Sequence, residues 1–117
     1  MKEETIFDNK SNKELNYYIG QNAKENWDII DKSNQNDIWF HLSKFPSSHV
    51  ILSIPKKVKL KDISKFTLIH CANKCKQYSK LKNSNQKIKV IYTEIKNIKK
   101  GKEIGSVFTK KEKYITI

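Results

Sequence analysis

The chain has 117 residues, a net charge of +12, a hydrophobic fraction of 37% and a charged fraction of 31%. That length suits one domain with a modest core, and the composition argues against intrinsic disorder. No apolar run approaches the roughly 20 residues of a membrane span, and Met1-Lys2-Glu3-Glu4-Thr5 is too polar for a secretory leader, so no membrane partner and a cytoplasmic address are expected.

Residues 1–14 are polar and lack periodicity, which predicts a loose N-terminal arm, with the folded domain running over 15–117. Leu15 to Gly20 reads as a short strand closed by glycine. Asn22 to Ile30 predicts a helix capped by Asn22, with Ala23, Trp27 and Ile30 on one side. Ser33-Asn34-Gln35-Asn36 marks a turn. Asp37 to Leu42 is aromatic-rich and His49 to Ile54 is apolar; with the Pro46 turn between them and Pro55 after them, they predict an antiparallel hairpin with a long loop. Asp62 to Lys80 carries the clearest helical period, with Ser64, Leu68, Cys71, Ala72, Cys75 and Ser79 on one stripe. Lys65, Lys76 and Lys80 fall on another face, open to solvent. Lys87 to Thr93 reads as a strand, and Lys96, Lys99, Lys100 and Lys102 as a basic loop. Gly105 to Thr109 and Tyr114 to Ile117 read as a closing hairpin. The order of elements predicts an α+β fold: a mostly antiparallel sheet with one main helix packed on it.

Charge is unevenly placed. Residues 1–55 sum to −2 and residues 56–117 to +14, and every basic residue is lysine. Coding bias toward Lys, Ile and Asn would raise the lysine count, but it would not keep acids out of the second half. Such an asymmetry points to a polyanion. Without the arginine fork, contacts to phosphates dominate over base-edge pairing, so weak sequence preference is expected.

The densest segment runs from Asp37 through Trp39, Phe40, His41, Pro46, Ser47 and Ser48 to His49. A serine, a histidine and Asp37 are the ingredients of a hydrolase, but a nucleophile elbow needs a glycine-flanked serine after a strand, and that spacing is missing. Trp39 and Phe40 fit better as residues straddling a sheet. Asp37, His41, His49, His70, Cys71 and Cys75 are the possible metal ligands, yet they form neither a paired-cysteine nor an HExxH pattern. Cys71 and Cys75, one helical turn apart, suit reduced buried thiols better than a disulfide. No cofactor and no catalysis are expected; a metal-dependent hydrolase around His41 and His49 is kept as an alternative, as is a protein–protein adaptor on ribosomal or other acidic surfaces.

Asn36-Asp37-Ile38-Trp39-Phe40-His41 followed by Pro46-Ser47-Ser48-His49-Val50-Ile51-Leu52 resembles the signature of the NFACT-R domain, found near the C-terminus of NEMF-like ribosome quality control factors. Gly20-Gln21-Asn22-Ala23-Lys24-Glu25-Asn26 resembles that domain's entry motif, and Ala72, Ser79, Val90 to Thr93 and Lys96 to Lys100 continue the likeness over residues 15–117. The resemblance implies an α+β RNA-binding domain that contacts tRNA or rRNA on the ribosome, here of the stand-alone type, with DNA as a possible competing polyanion. Gln21 stands where many members have arginine and Ser47 where many have glycine; the first of these departures is expected to remove a possible phosphate contact of the family. No N-terminal NFACT domain or coiled coil lies within the sequence, so tail elongation is not expected of it. The residues expected to touch phosphate or sugar are Lys24, Lys44, His49, Lys96, Lys99 and Lys100. Asp37, Trp39, Phe40, His41 and Ser48 are expected to shape the hairpin beside them.

Overall fold

A computed structural model describes all of residues 1–117. The strands are β1 (Lys2–Asp8), β2 (Lys13–Ile19), β3 (Ile38–Leu42), β4 (Val50–Leu52), β5 (Lys89–Glu94), β6 (Ile98–Lys100), β7 (Val107–Thr109) and β8 (Lys113–Thr116); the helices are α1 (Ala23–Asp31) and α2 (Lys65–Gln77). Six strands form one sheet in the order β1-β2-β4-β3-β5-β8, and β6 and β7 form a separate ribbon. Every pairing is antiparallel. The fold is therefore α+β with a mostly antiparallel sheet.

The central strands are buried on both faces, as their near-continuous apolar sequences require. Phe40 and its neighbours Ile38, Leu42, Val50 and Leu52 face α2, which lays Leu68, Cys71, Ala72 and Cys75 onto them. The small side chains of that stripe let helix and sheet approach closely. Trp39 and Ile51 point the other way, into a smaller cluster with Ile29 of α1 and Ile95. Tertiary packing thus covers the sheet on both sides, with α2 on one face, and α1 and the β6–β7 ribbon on the other.

Asp37 fixes the start of β3. One carboxyl oxygen accepts from the Ile54 N–H at 2.8 Å and the other from the Asn34 N–H at 2.9 Å. Helix α2 begins at Ser64, whose Oγ accepts from the Thr67 N–H at 3.2 Å. It ends at Gln77, short of the expected Lys80, and Ser79 bonds back to the Lys76 carbonyl at 2.7 Å.

Four sequence expectations are corrected. Residues 1–14 are not a loose arm: Lys2–Asp8 pairs along its whole length with β2. Its inward positions are Glu4, Ile6 and Asp8, and the two acids are satisfied by hydrogen bonds, Glu4 by the Tyr17 hydroxyl at 2.7 Å. The closing hairpin does not form either. β7 pairs with β6, while β8 crosses to β5 after a turn in which Lys111 takes φ +54°. The expected basic loop is consequently a 3-10 turn (Ile95–Asn97) followed by β6. In α1 the buried residues are Asn26 and Ile29, so its inner face is rotated from the expected Ala23, Trp27 and Ile30 stripe.

Candidate nucleic-acid interface

The glycine–asparagine segment at the start of α1 builds one wall of a cleft. Gly20 donates its N–H to the His49 carbonyl at 3.0 Å. A Cβ at Gly20 would lie 2.2 Å from Asn26 Oδ1, so only glycine lets the Asn26 side chain approach. That same Oδ1 accepts from the His49 N–H at 3.2 Å. Asn22 Oδ1 caps α1 by accepting from the Glu25 N–H at 2.9 Å, and Glu25 reaches back to the Gln21 N–H at 3.0 Å. Gly20 and Asn26 thus tie the helix start to the beginning of β4, and Asn22 and Glu25 close the first helical turn.

The β3–β4 loop forms the floor. Trp39 Nε1 donates to His49 Nδ1 at 3.0 Å, inside the sheet's smaller core. An indole N–H can only donate, so Nδ1 must accept and the neutral imidazole carries its proton on Nε2. Burial, then the neighbouring His41, pushes His49 down to about 3, so it is uncharged at neutral pH. His41 stacks on Trp39 with ring centroids 5.7 Å apart and stands edge-on to His49 at 5.0 Å. Its Nδ1 donates to the Leu42 carbonyl at 2.6 Å, and burial lowers its pKa as well. Ser47 Oγ accepts from the Leu42 N–H at 3.2 Å and donates to the Ser48 carbonyl at 3.0 Å, which holds the loop shut.

Between these walls and the C-terminal end of α2 lies a cleft of about 790 Å³. Gln21, Asn22, His41, Ser47, Ser48 and His49 line one side, and Tyr78, Ser79, Lys80 and Lys82 the other; none of the lining residues is acidic. Lys80 and Lys82 are exposed, so two mobile cations face a polar, neutral floor. That combination suits an anion whose sugars and bases also need hydrogen-bond partners.

Of the sequence candidates, the structure brings His41, Ser48 and His49 together at the cleft, with Trp39 against both imidazoles, whereas Asp37 lies at the other end of the hairpin, bonded to the Asn34 and Ile54 N–H groups. His49 does not act as the exposed cation expected of it: it is 3% exposed and neutral, because Val50 and Trp39 carry it into the sheet. The other five contacts lie elsewhere. Lys24 is exposed and pairs with Asp28 at 3.0 Å. Lys44 is exposed at the tip of the β3–β4 loop, and Lys96 pairs with Glu94 at 3.5 Å. Lys99 is exposed, whereas Lys100 is held by Asp31 at 2.6 Å and sits 5.0 Å over the Trp27 ring. Sequence reasoning missed Gln77, Tyr78, Lys80 and Lys82 as cleft residues, having read Lys80 only as part of a solvent-facing side of the helix. The lysines clustered at the end of α2 were the available signal.

The alternative chemistries find no assembled site. Asp37 spends both oxygens on backbone N–H groups, and no serine hydroxyl is bonded to a histidine. His70 bonds the Tyr17 hydroxyl at 3.0 Å, Cys71 and Cys75 are buried under α2, and no three potential ligands converge.

Residues 5–112 match the family model described as the NFACT protein RNA binding domain. The chain is 35% identical over 102 residues to coiled-coil domain-containing protein 25 of Danio rerio, a match covering 86% of this chain and 49% of that protein. The mouse protein of the same name is 34% identical over 102 residues, with the same coverage. The Dictyostelium discoideum homolog is 32% identical over 100 residues, covering 84% of this chain and 48% of the relative. The chain spans about half the length of the curated relatives it matches. Among solved structures, the C-terminal part of the fibronectin/fibrinogen-binding protein from Streptococcus suis superposes with a TM-score of 0.79 at 23% identity, over 100% of this chain and 45% of that one, which shows the shared fold.

Proposed function

The chain belongs to the NFACT protein RNA binding domain family, and from that premise we propose that it is a non-catalytic module that grips RNA in the cleft between α1, the β3–β4 loop and the end of α2. The acid-free lining of that cleft, with Lys80 and Lys82 on its rim, carries the reading. The lysines hold phosphates as point charges, and the His49 Nε2–H and the side-chain amides of Gln21 and Asn22 offer neutral donors to sugar or base oxygens. Lys24, Lys44 and Lys99 lengthen the positive surface. The proposal extends to tRNA or rRNA on the ribosome in the cytoplasm, in keeping with the family's resemblance to quality control factors.

The test is fluorescence anisotropy with labelled tRNA, single-stranded RNA and duplex DNA across a salt series. The proposal expects RNA binding that persists near physiological salt. Replacing Lys80 and Lys82 by alanine should weaken it and reduce the salt slope by about 0.7–0.9 per lost phosphate contact. Equal affinity for all three ligands, abolished as salt rises, would reduce the protein to a generic polycation. An unchanged slope in the double variant would remove the cleft from the site.

A further inference from the structure

In the β6–β7 ribbon the register places Lys99 opposite Phe108 and Lys100 opposite Val107. Ile98 and Val107 face inward and pack against the cluster of Ile29, Trp39, Ile51 and Ile95. The outward face therefore carries Lys99 and its direct cross-strand partner Phe108, with Lys110 two residues further along the Phe108 strand direction. Phe108 is 68% exposed. Beside the ring lies a groove of about 250 Å³ lined by Lys96, Asn97, Lys99, Thr109 and Lys110. The acids nearby are engaged: Glu94 with Lys96 at 3.5 Å and Glu112 with the Thr109 hydroxyl at 2.9 Å. None of the groove residues belongs to the cleft described above.

We propose that this outer face is a stacking platform for an unpaired RNA base, with the Phe108 ring against the base and Lys99 and Lys110 on the flanking phosphates. The proposal rests on the RNA-binding reading and adds a second, separate contact to it. A protein partner would also cover an exposed phenylalanine, but Lys99 and Lys110, both exposed beside the ring and in no ion pair, favour a flat ligand threaded on a polyanion. A duplex has its base faces already stacked, so the platform selects single-stranded segments. Base–aromatic stacking needs no particular base, which agrees with a site that lacks arginine.

The experiment compares a single-stranded RNA of about 12 nucleotides with an RNA duplex of equal charge, by anisotropy at fixed salt. The ligands are tested on the wild-type chain and on the Phe108→Ala, Phe108→Leu, Phe108→Trp and Lys80→Ala/Lys82→Ala variants. Phe108→Ala and Phe108→Leu should lose about tenfold in single-strand affinity with the duplex affinity and the salt slope unchanged, and Phe108→Trp should retain or gain affinity. Phe108 is on the surface, and the Trp variant guards against misfolding as an explanation. Single-strand affinity unchanged in Phe108→Ala, or an equal loss for both ligands, overturns the platform. If the wild type binds single strands through Lys80 and Lys82 while Phe108 is silent, only the platform falls. A wild type that binds neither RNA overturns the platform and the RNA-binding reading together.

Discussion

Replacing Asp8 by alanine should cost about 3–4 kcal/mol of folding stability, a large share of the roughly 5–15 kcal/mol typical of a domain. Asp8 is fully buried, and its two oxygens accept four hydrogen bonds: from the Ser11 N–H and hydroxyl at 2.7 and 2.6 Å, the Ser64 N–H at 2.8 Å and the Thr67 hydroxyl at 2.6 Å. Ser11 is half-exposed and can turn to water, but Thr67 is buried, and Ser64 N–H lies at the cap of α2. Two orphaned donors at about 1–3 kcal/mol each, with some relaxation, give the figure. With a urea m-value of about 1.5 kcal/mol/M, the midpoint should fall by about 2 M. Burial acts to raise the Asp8 pKa, and the four hydrogen bonds more than offset it, so the group is held well below the usual carboxylate range. A depressed folded pKa means stability that is present above about pH 4, the unfolded value, and lost as pH falls further. The wild type should therefore lose this increment in acid while the alanine variant does not. A midpoint shift below about 0.5 M, or parallel acid profiles for the two proteins, would refute the view that one carboxylate locks the first hairpin to α2.

Gly20→Ala should destabilise the fold by about 1–3 kcal/mol, seen as a lower thermal midpoint, because the new methyl meets Asn26 Oδ1 and backbone at 2.2 and 3.0 Å. The His49 ring should show no protonation step between pH 8 and 5 by NMR, since burial holds its pKa near 3; a midpoint close to 6.5 would contradict the buried neutral ring. The accompanying sign is that stability declines as pH drops below about 6.5, where the unfolded histidine takes a proton that the folded one refuses. Lys100→Ala should alter RNA affinity less than Lys99→Ala in the same binding assay, because Asp31 and the Trp27 ring already hold the Lys100 ammonium; the larger effect at Lys100 would show that this clasp opens for RNA.

The central hairpin was legible because Asp37, Pro46 and Pro55 punctuate two apolar runs, and α2 because its small and apolar residues repeat at helical spacing. The first strand was not. Its inward positions include two carboxylates, so the period of two is hidden unless the Tyr17 hydroxyl, Thr67 and Ser64 that satisfy them are known. The partners of β7 and β8 were misassigned because chain neighbours pair by default, whereas the Lys111 turn and the inward Ile98 and Val107 separate them. At the candidate site, the motif residues announced their location but not their charge state. His49 reads as a surface cation until Trp39 is seen donating to its ring. The lysines of the cleft follow the end of α2, far from the motif in the chain, and only the fold brings them across.

Cys71 and Cys75 are wholly enclosed beneath α2, and burial pushes both thiols upward in pKa, so as long as the helix stays seated neither presents a thiolate to a reagent. The molecule thereby carries its own timer for undocking. The rate at which a thiol reagent consumes the pair, divided by the rate for an unfolded peptide, gives the fraction of time α2 spends lifted from the sheet. Helix α2 also ends at the rim that carries Lys80 and Lys82, so the same clock, run with and without RNA, would report whether a bound strand clamps that helix in place or leaves it free to breathe.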